Sequence, residues 1–310
     1  MVNAYKNETQ ASQSEPTADQ LCRAPVTLFA LPKPFVGDSI RIQRNAFLSW
    51  QRLQSSVDVL LLGDEEGIEE FATENGFAYG GGVDRNEDGT PLVSSAFAKA
   101  HEVSASPILV YCNSDVILER GFVRAMQALA DHFVESGKDF LAIGHRTDLA
   151  VERDVDFSNP HDLESLMEQC RKHGTKSSAV CKEYFAFRHG FYQSIPPFAV
   201  GRGNWDNWMV AHAHQQNIPV VDISEEALAI HQSHDYSHAG VSRMACYVNG
   251  KEARLNQRLA GGRNLVSGST ANYLLSGGGI KRMGVAKKMI RFLQDVPRFS
   301  RLMTQLLVQK

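Results

Sequence analysis

The sequence predicts an α/β protein whose mostly parallel, open sheet is covered by helices on both faces. Short apolar runs rich in β-branched residues, at 25–31, 57–62, 107–112 and 140–144, read as buried strands. Between them apolar residues recur every three or four positions, the spacing of amphipathic helices. The 310 residues, 43% hydrophobic and 22% charged, match a globular chain long enough for one large core or two modest ones.

The elements follow in order. The run from Pro25 to Leu31 is stopped by Pro32-Lys33-Pro34, as expected of a buried strand that ends in a ligand-facing loop. Asp38 or Ser39 can cap a helix in which Ile42, Ala46, Trp50 and Leu53 share a face, and 57–62 is the second strand. A helix over 65–74 ends near Gly76, a strand covers 77–83, and 84–89 is rich in turn formers. Thr90 and Pro91 stand in the favoured first positions of a helix that runs to about Val103. The strand at 107–112 then delivers Asn113-Ser114-Asp115 at its carboxyl end, where open α/β sheets bind ligands. A helix over 119–136 and a strand over 140–144 continue the alternation. Beyond it the expectations are a helix at 162–172, a strand at 184–188, a helix from Trp205, an extended 219–223, helices at 242–247 and 252–259, and a hinge at Gly277-Gly278-Gly279.

Composition excludes several classes. No apolar run approaches the roughly 18–20 residues that span a bilayer. Residues 1–24 are polar, lack the apolar stretch of a secretory signal, and read as a disordered leader. Five widely spaced cysteines with no Cys-x-x-Cys argue against a disulfide framework or a cysteine-built zinc site, and the expected location is the reducing cytoplasm. The net charge is −3, but residues 277–310 carry eight Lys or Arg against one Asp, a local +7, which leaves −10 on the remainder. A body this acidic is unsuited to gripping nucleic acid.

Three segments offer chemistry. Asn113-Ser114-Asp115 sets an amide oxygen and a carboxylate two residues apart beyond a buried strand, a donor set for Mg²⁺ or Mn²⁺ bridging to a diphosphate; the same residues also fit an Asx-type turn. Gly201-Arg202-Gly203-Asn204 leads into a helix with Asp206 between Trp205 and Trp208, which suits a sugar packed on an aromatic face beside a general base, or equally a carboxylate complementing the helix dipole beside two core tryptophans. His231, His234 and His238 would share a helical face, as in a zinc site, but the extended Ala227-Leu228-Ala229-Ile230 puts His231 at a strand end, where it can complete the cation site begun by Asp115. His212 and His214 are read as structural. The phosphate-loop, dinucleotide, nucleophile-elbow and zinc-protease signatures are all missing.

This order resembles the GT-A-type glycosyltransferases: a first strand ending in a loop, Gly63-Asp64 after the second strand, Asn113-Ser114-Asp115 after the fourth, Trp205-Asp206 opening a later helix, and a histidine some 25 residues on. The resemblance covers 26–236 and implies a Rossmann-like nucleotide-sugar and acceptor domain at 25–236, followed by a helical extension at 237–276 and a basic tail at 277–310. It implies nucleotide-sugar contacts from Ala30, Leu31, Pro32, Asp64, Asn113, Ser114, Asp115 and Trp205. The metal, Mn²⁺ or Mg²⁺, would be held by Asp115 and Asn113 with His231 or His234, and Asp206 would activate the acceptor. Asn113 replaces the usual first aspartate, Trp205-Asp206-Asn207 replaces the more familiar paired acids, and Ser94, Ser95 and Lys99 stand where many relatives carry Arg and Asn.

The function so implied is transfer of a sugar from a nucleoside diphosphate sugar to a glycan, lipid or small-molecule hydroxyl. One alternative is a non-catalytic domain that binds nucleotide sugar or glycan. Another is a sugar-phosphate nucleotidylyltransferase, whose glycine-rich first loop is replaced here by Leu31-Pro32-Lys33-Pro34. In the tail, Val285, Met289, Phe292, Leu293, Val296, Phe299, Met303, Leu306 and Leu307 recur at helical spacing among Lys287, Lys288, Arg291, Arg298 and Arg301, with Pro297 dividing two short helices. Such a segment either packs on the acidic body or lies on anionic lipid as a peripheral membrane anchor.

Overall fold

The computed structural model describes residues 21–53, 55–233, 245–262, 268–291 and 293. Residues 1–20 of the expected leader, His234, His238, residues 242–244 of an expected helix, Phe292 and the tail beyond 293 lie outside the described residues. Residues 21–24, also assigned to the leader, are held to the body: Leu21 and Cys22 donate backbone N–H groups to Val103, Arg23 and Ala24 donate theirs to the Asp58 carboxylate, and Cys22 is fully buried.

The described strands are β1 (Val26–Ala30), β2 (Val57–Leu61), β3 (Ala78–Tyr79), β4 (Ile108–Cys112), β5 (Val116–Leu118), β6 (Leu141–Leu149), β7 (Thr175–Lys176), β8 (Lys182–Arg188), β9 (Val220–Asp222), β10 (Ala229–Gln232), β11 (Tyr273–Ser276) and β12 (Gly279–Arg282). They run across the sheet in the order β12-β11-β9-β6-β8-β4-β1-β2-β3, and β5, β7 and β10 pair off this path. Along the path the sheet is parallel except where β8 lies between β4 and β6 and where β11 and β12 form a hairpin.

Strand alternation sends side chains to both faces, and each face has its own core. Val26, Leu28 and Ala30 of β1, with Val57, Val59 and Leu61 of β2, pack under α1 (Asp38–Gln51), α2 (Ile68–Asn75) and α4 (Gly121–Leu129) through Phe47, Trp50, Phe71 and Phe122. Phe29, Leu60, Leu109 and Phe187 pack on the opposite face under α3 (Val93–Val103) and α6 (Trp205–Gln215) through Phe97, Trp205 and Met209. A third cluster, with Ile117, Leu149, Val155 and Ile230, seats α5 (Pro160–His173). The helix α7 (Lys251–Leu259) lies over the 201–203 loop, where the Glu252 carboxylate accepts from Arg202 Nε at 2.7 Å.

Several expected boundaries move. The helix expected from Thr90-Pro91 begins at Val93, because Thr90 N–H is committed to Asn86 Oδ1 and the Pro91 carbonyl to Val200 N–H, which leaves an extended Leu92 as the cap. The expected strand 77–83 is reduced to β3 by three glycines, and the expected helix 119–136 widens after α4 into a π-helical turn over Ala130–Val134. The expected hinge at Gly277-Gly278-Gly279 is instead a tight hairpin turn. Gly277 and Gly278 both take positive φ, 59° and 72°, which is the reason two glycines stand there. Residues 273–282 thus extend the central sheet.

Candidate active site

β4 stops at Cys112, and the chain turns through Asn113-Ser114-Asp115 into β5. β5 runs antiparallel to β10 with Val116 opposite His231, while β10 is parallel to β6 with His231 opposite Asp148. Three segments far apart in sequence therefore meet at the carboxyl edge of the sheet. Asp115 Oδ2 lies 3.7 Å from His231 Nε2, and His231 Nδ1 lies 2.9 Å from Asp148 Oδ1. The imidazole thus sets its Nδ1 edge against Asp148 and its Nε2 edge toward Asp115, so that a carboxylate stands on either side of the ring.

A second tier surrounds these residues. Arg146 lies between two carboxylates, with Nε 2.9 Å from Asp148 Oδ1 and an η nitrogen 3.0 Å from Glu183 Oε1. The Asn113 amide donates Nδ2–H to Glu183 Oε2 at 2.7 Å, which turns its Oδ1 away from Glu183. Ser177 Oγ donates to Asp148 Oδ2 at 2.6 Å, and Ser114 is buried in the turn.

The charge balance of the cluster favours a cation. Asp115, Asp148 and Glu183 face one guanidinium and one imidazole. Burial, and behind it the Asp115 charge, raises the Glu183 carboxyl above its ordinary range against the opposing pull of His231, Arg146 and Asn113. Burial also opposes ionisation of Asp148, but the Ser177 hydrogen bond with Arg146 and His231 outweighs it and holds this carboxyl low. Across the mouth, Ala30, Leu31 and Pro32 are buried, so the side chain that the first loop brings within electrostatic reach of Asp115 is Lys33, whose pKa burial lowers. That loop is pinned to α1: Gln43 accepts from Lys33 N–H at 2.6 Å and donates to Lys33 O at 2.9 Å.

Three assigned residues lie beyond this cluster. Asp64, exposed after β2, is paired with Arg85, whose hydrogen bond holds the carboxyl below its usual range; Arg85 also bonds Glu65 Oε1 at 2.7 Å. Asp206, in the first turn of α6, places Oδ2 3.0 Å from Lys182 Nζ. That ammonium is wholly buried and also bonds Asn207 Oδ1 at 2.9 Å and Val180 O at 3.1 Å. Trp205 is not presented to a ligand: its ring is buried against Tyr111 and Phe185, with centroids 5.2 and 5.3 Å away. Trp208 stacks on His212 at 4.6 Å.

Sequence reasoning passed over Arg146, Asp148, Lys182, Glu183, Arg85 and Lys33. A signal existed for the first four: Arg146 and Asp148 are one strand period apart, and Lys182-Glu183 opens an otherwise apolar strand that would bury both charges. Among the described residues no three His, Cys, Asp or Glu side chains form a ready-made metal cage. Asp115 and His231 face each other there, with Asn113 two residues before Asp115, and these are oxygen and nitrogen donors of the kind Mg²⁺ or Mn²⁺ takes when substrate phosphates complete its shell. The anion excess around them fits a divalent cation.

No protein-family model matches the sequence, and no curated protein matches it. Among solved structures the chain is similar to glucosyl-3-phosphoglycerate synthase from Mycobacterium tuberculosis in complex with Mn²⁺, uridine diphosphate and phosphoglyceric acid, with 14% identity and a TM-score of 0.44 over 77% of this chain and 80% of that one. It is also similar to a protein from Desulfovibrio desulfuricans G20 assigned to the nucleotide-diphospho-sugar transferases, with 13% identity and a TM-score of 0.38 over 76% and 97% of the two chains. For Staphylococcus aureus TarS 1-349 the figures are 11% and 0.30 over 43% and 38%. Similarity at this level transfers no residue's role to this chain.

Proposed function

We propose that this protein is a GT-A-type glycosyltransferase that moves a sugar from a nucleoside diphosphate sugar to a hydroxyl acceptor. The observation that carries the reading is the facing pair Asp115 and His231, with Asp148 against the other edge of the imidazole, at the sheet edge where α/β folds bind ligands. Asp115, His231 and the Asn113 Oδ1 would hold Mn²⁺ or Mg²⁺, which supplies Lewis-acid stabilisation of the departing diphosphate. Lys33 adds a cation on the diphosphate side, and Asp64, fixed by Arg85, meets the nucleoside. Asp206 accepts the acceptor's proton as the acceptor oxygen bonds the anomeric carbon and the bond to the diphosphate breaks. Because Oδ2 is engaged by Lys182, the accepting atom is Oδ1.

The test is release of free nucleoside diphosphate from a panel of nucleotide sugars with Mn²⁺, for the wild type and for Asp115→Ala. The expected result is release from at least one donor by the wild type and none by the variant, with both chains folded by circular dichroism. Donor binding by calorimetry without release would favour the second reading, a nucleotide-sugar-binding domain, which the substitution of Asn113 for an aspartate supports. Absence of both binding and release across the panel would overturn the proposal.

A further inference from the structure

The helix that begins at residue 285 and runs through 291 is amphipathic in the reverse sense from a packed surface helix. At about 100° per residue, Val285, Met289, Leu293 and Ile290 fall within an arc of about 140°, and Lys287, Arg291 and Lys288 occupy the opposite arc. The basic arc faces the body. Arg291 is paired with the buried Asp222 carboxylate, and Lys287 Nζ lies 3.6 Å from Glu225 Oε1. The apolar arc faces outward: Val285 is 79% exposed, Met289 54%, Ile290 58% and Leu293 58%. A helix held by its cations with its apolar side chains turned to water presents a surface for a partner.

Charge decides which partner. Lys281 and Arg282 are exposed on β12, the strand that leads into this helix, and the sequence from 277 onward carries +7 while the rest carries −10. An anionic surface attracts this end in preference to the net-negative remainder, and apolar side chains flanked by cations are what inserts at a lipid headgroup boundary. Position adds to this. Asp222, the anchor for Arg291, lies in register with Ile143, which is opposite Phe185, which is opposite Tyr111, two residues before Asn113. The helix is therefore moored at the same carboxyl edge of the sheet, three strands or about 14 Å across from Tyr111, while the Asp115 and His231 pair lies further out, level with Asp148, five residues beyond Ile143 on β6.

We propose that this face docks the protein on an anionic lipid surface through Val285, Met289, Ile290 and Leu293, with the catalytic edge of the sheet turned toward the bilayer. The docking stands whether or not the transfer reading holds; together they point to a membrane-proximal acceptor. The test is flotation of the full chain at low salt with vesicles of phosphatidylcholine containing phosphatidylglycerol, against phosphatidylcholine alone. The wild type is expected to float with the anionic vesicles and far less with the neutral ones. Combining Met289→Glu, Ile290→Glu and Leu293→Glu should reduce the floated fraction by at least about tenfold. Val285→Glu, at the most exposed of these positions, is the independent variant should the triple one misfold. Three results would overturn the proposal: a wild type that stays in the dense layer, variants that float equally, or a wild-type dimer in sedimentation velocity that the triple variant dissolves without any flotation, which would make the face a contact between two copies of the chain.

Discussion

Asn113 stands where the resemblance leads one to expect an aspartate, and its partner explains the amide. Its Nδ2–H is donated at 2.7 Å to the buried Glu183 carboxylate, so an aspartate there would set two carboxylates against each other. Asn113→Asp is expected to lower the melting temperature without metal and to regain it with Mn²⁺, read by scanning calorimetry in both conditions; an unchanged melt would mean that Glu183 is neutral or has moved. Asp148 acts one residue further out, through the orientation of His231. Asp148→Asn should weaken Mn²⁺-dependent donor binding by roughly 10- to 100-fold in titration calorimetry, since partners that orient a ligating histidine contribute on that scale. For Asp206, replacement by Asn keeps volume and the Lys182 hydrogen bond but removes the proton acceptor. Turnover should fall on the order of 10² to 10⁴-fold with donor binding retained, and turnover at the wild-type rate would remove Asp206 from the base role.

β8 joins the two halves of the site. Its antiparallel course between β4 and β6 brings Lys182 and Glu183 to the carboxyl edge, and alternation sends them to opposite sides, Lys182 to Asp206 and Glu183 to Asn113 and Arg146. Close approach at this edge is possible because Gly144 has no side chain: a Cβ there would meet the Tyr184 ring at 1.9 Å. Below it, Phe97 of α3 stacks on Phe187 of β8 at 5.4 Å and 10° and meets Phe29 of β1 edge-on at 5.1 Å. Phe97→Ala therefore leaves a cavity where helix and sheet join. It should cost about 3–5 kcal/mol in urea unfolding with an unchanged m-value.

At the scale of the whole molecule, stability should depend on pH through a histidine far from the site. His101 lies in the last turn of α3 at the opposite edge of the sheet, where Nε2–H is donated to Phe191 O at 2.9 Å and the ring meets His189 at 4.8 Å. Among the described residues Nδ1 is buried without a hydrogen-bond partner. Burial, then the charge of His189, pushes the pKa down to about 4. The unfolded chain, near the ordinary 6.5, takes up this proton first, so this histidine leaves stability unchanged above pH 6.5 and lowers it as the pH drops from there toward 4. The full loss is about 3 kcal/mol. Thermal melts of the wild type and His101→Gln between those limits should diverge, the variant showing the shallower slope; parallel curves would show that His101 already binds its proton in the folded state.

The alternation of buried runs with amphipathic spacing was enough to identify the α/β class and most helices, because a strand covered on both faces and a helix with one apolar stripe leave periods that no tertiary contact is needed to read. The carboxyl edge of β4 was legible for the same reason, and with it Asp115. The direction of β8 was not, since a strand buried on both faces has the same composition in either direction. Nor was the small strand β5, whose three residues carry no period. That strand pairs with β10 and sets His231 beside Asp115 across 115 intervening positions, a join that the register of the sheet alone decides. The same holds for Trp205, where composition allowed a ligand platform and packing against Tyr111 and Phe185 made a core residue, and for the helix from 285. Its amphipathic period was plain in the sequence, but which side faces outward was decided by Asp222 and Glu225, acidic groups at the sheet edge that draw its cations inward.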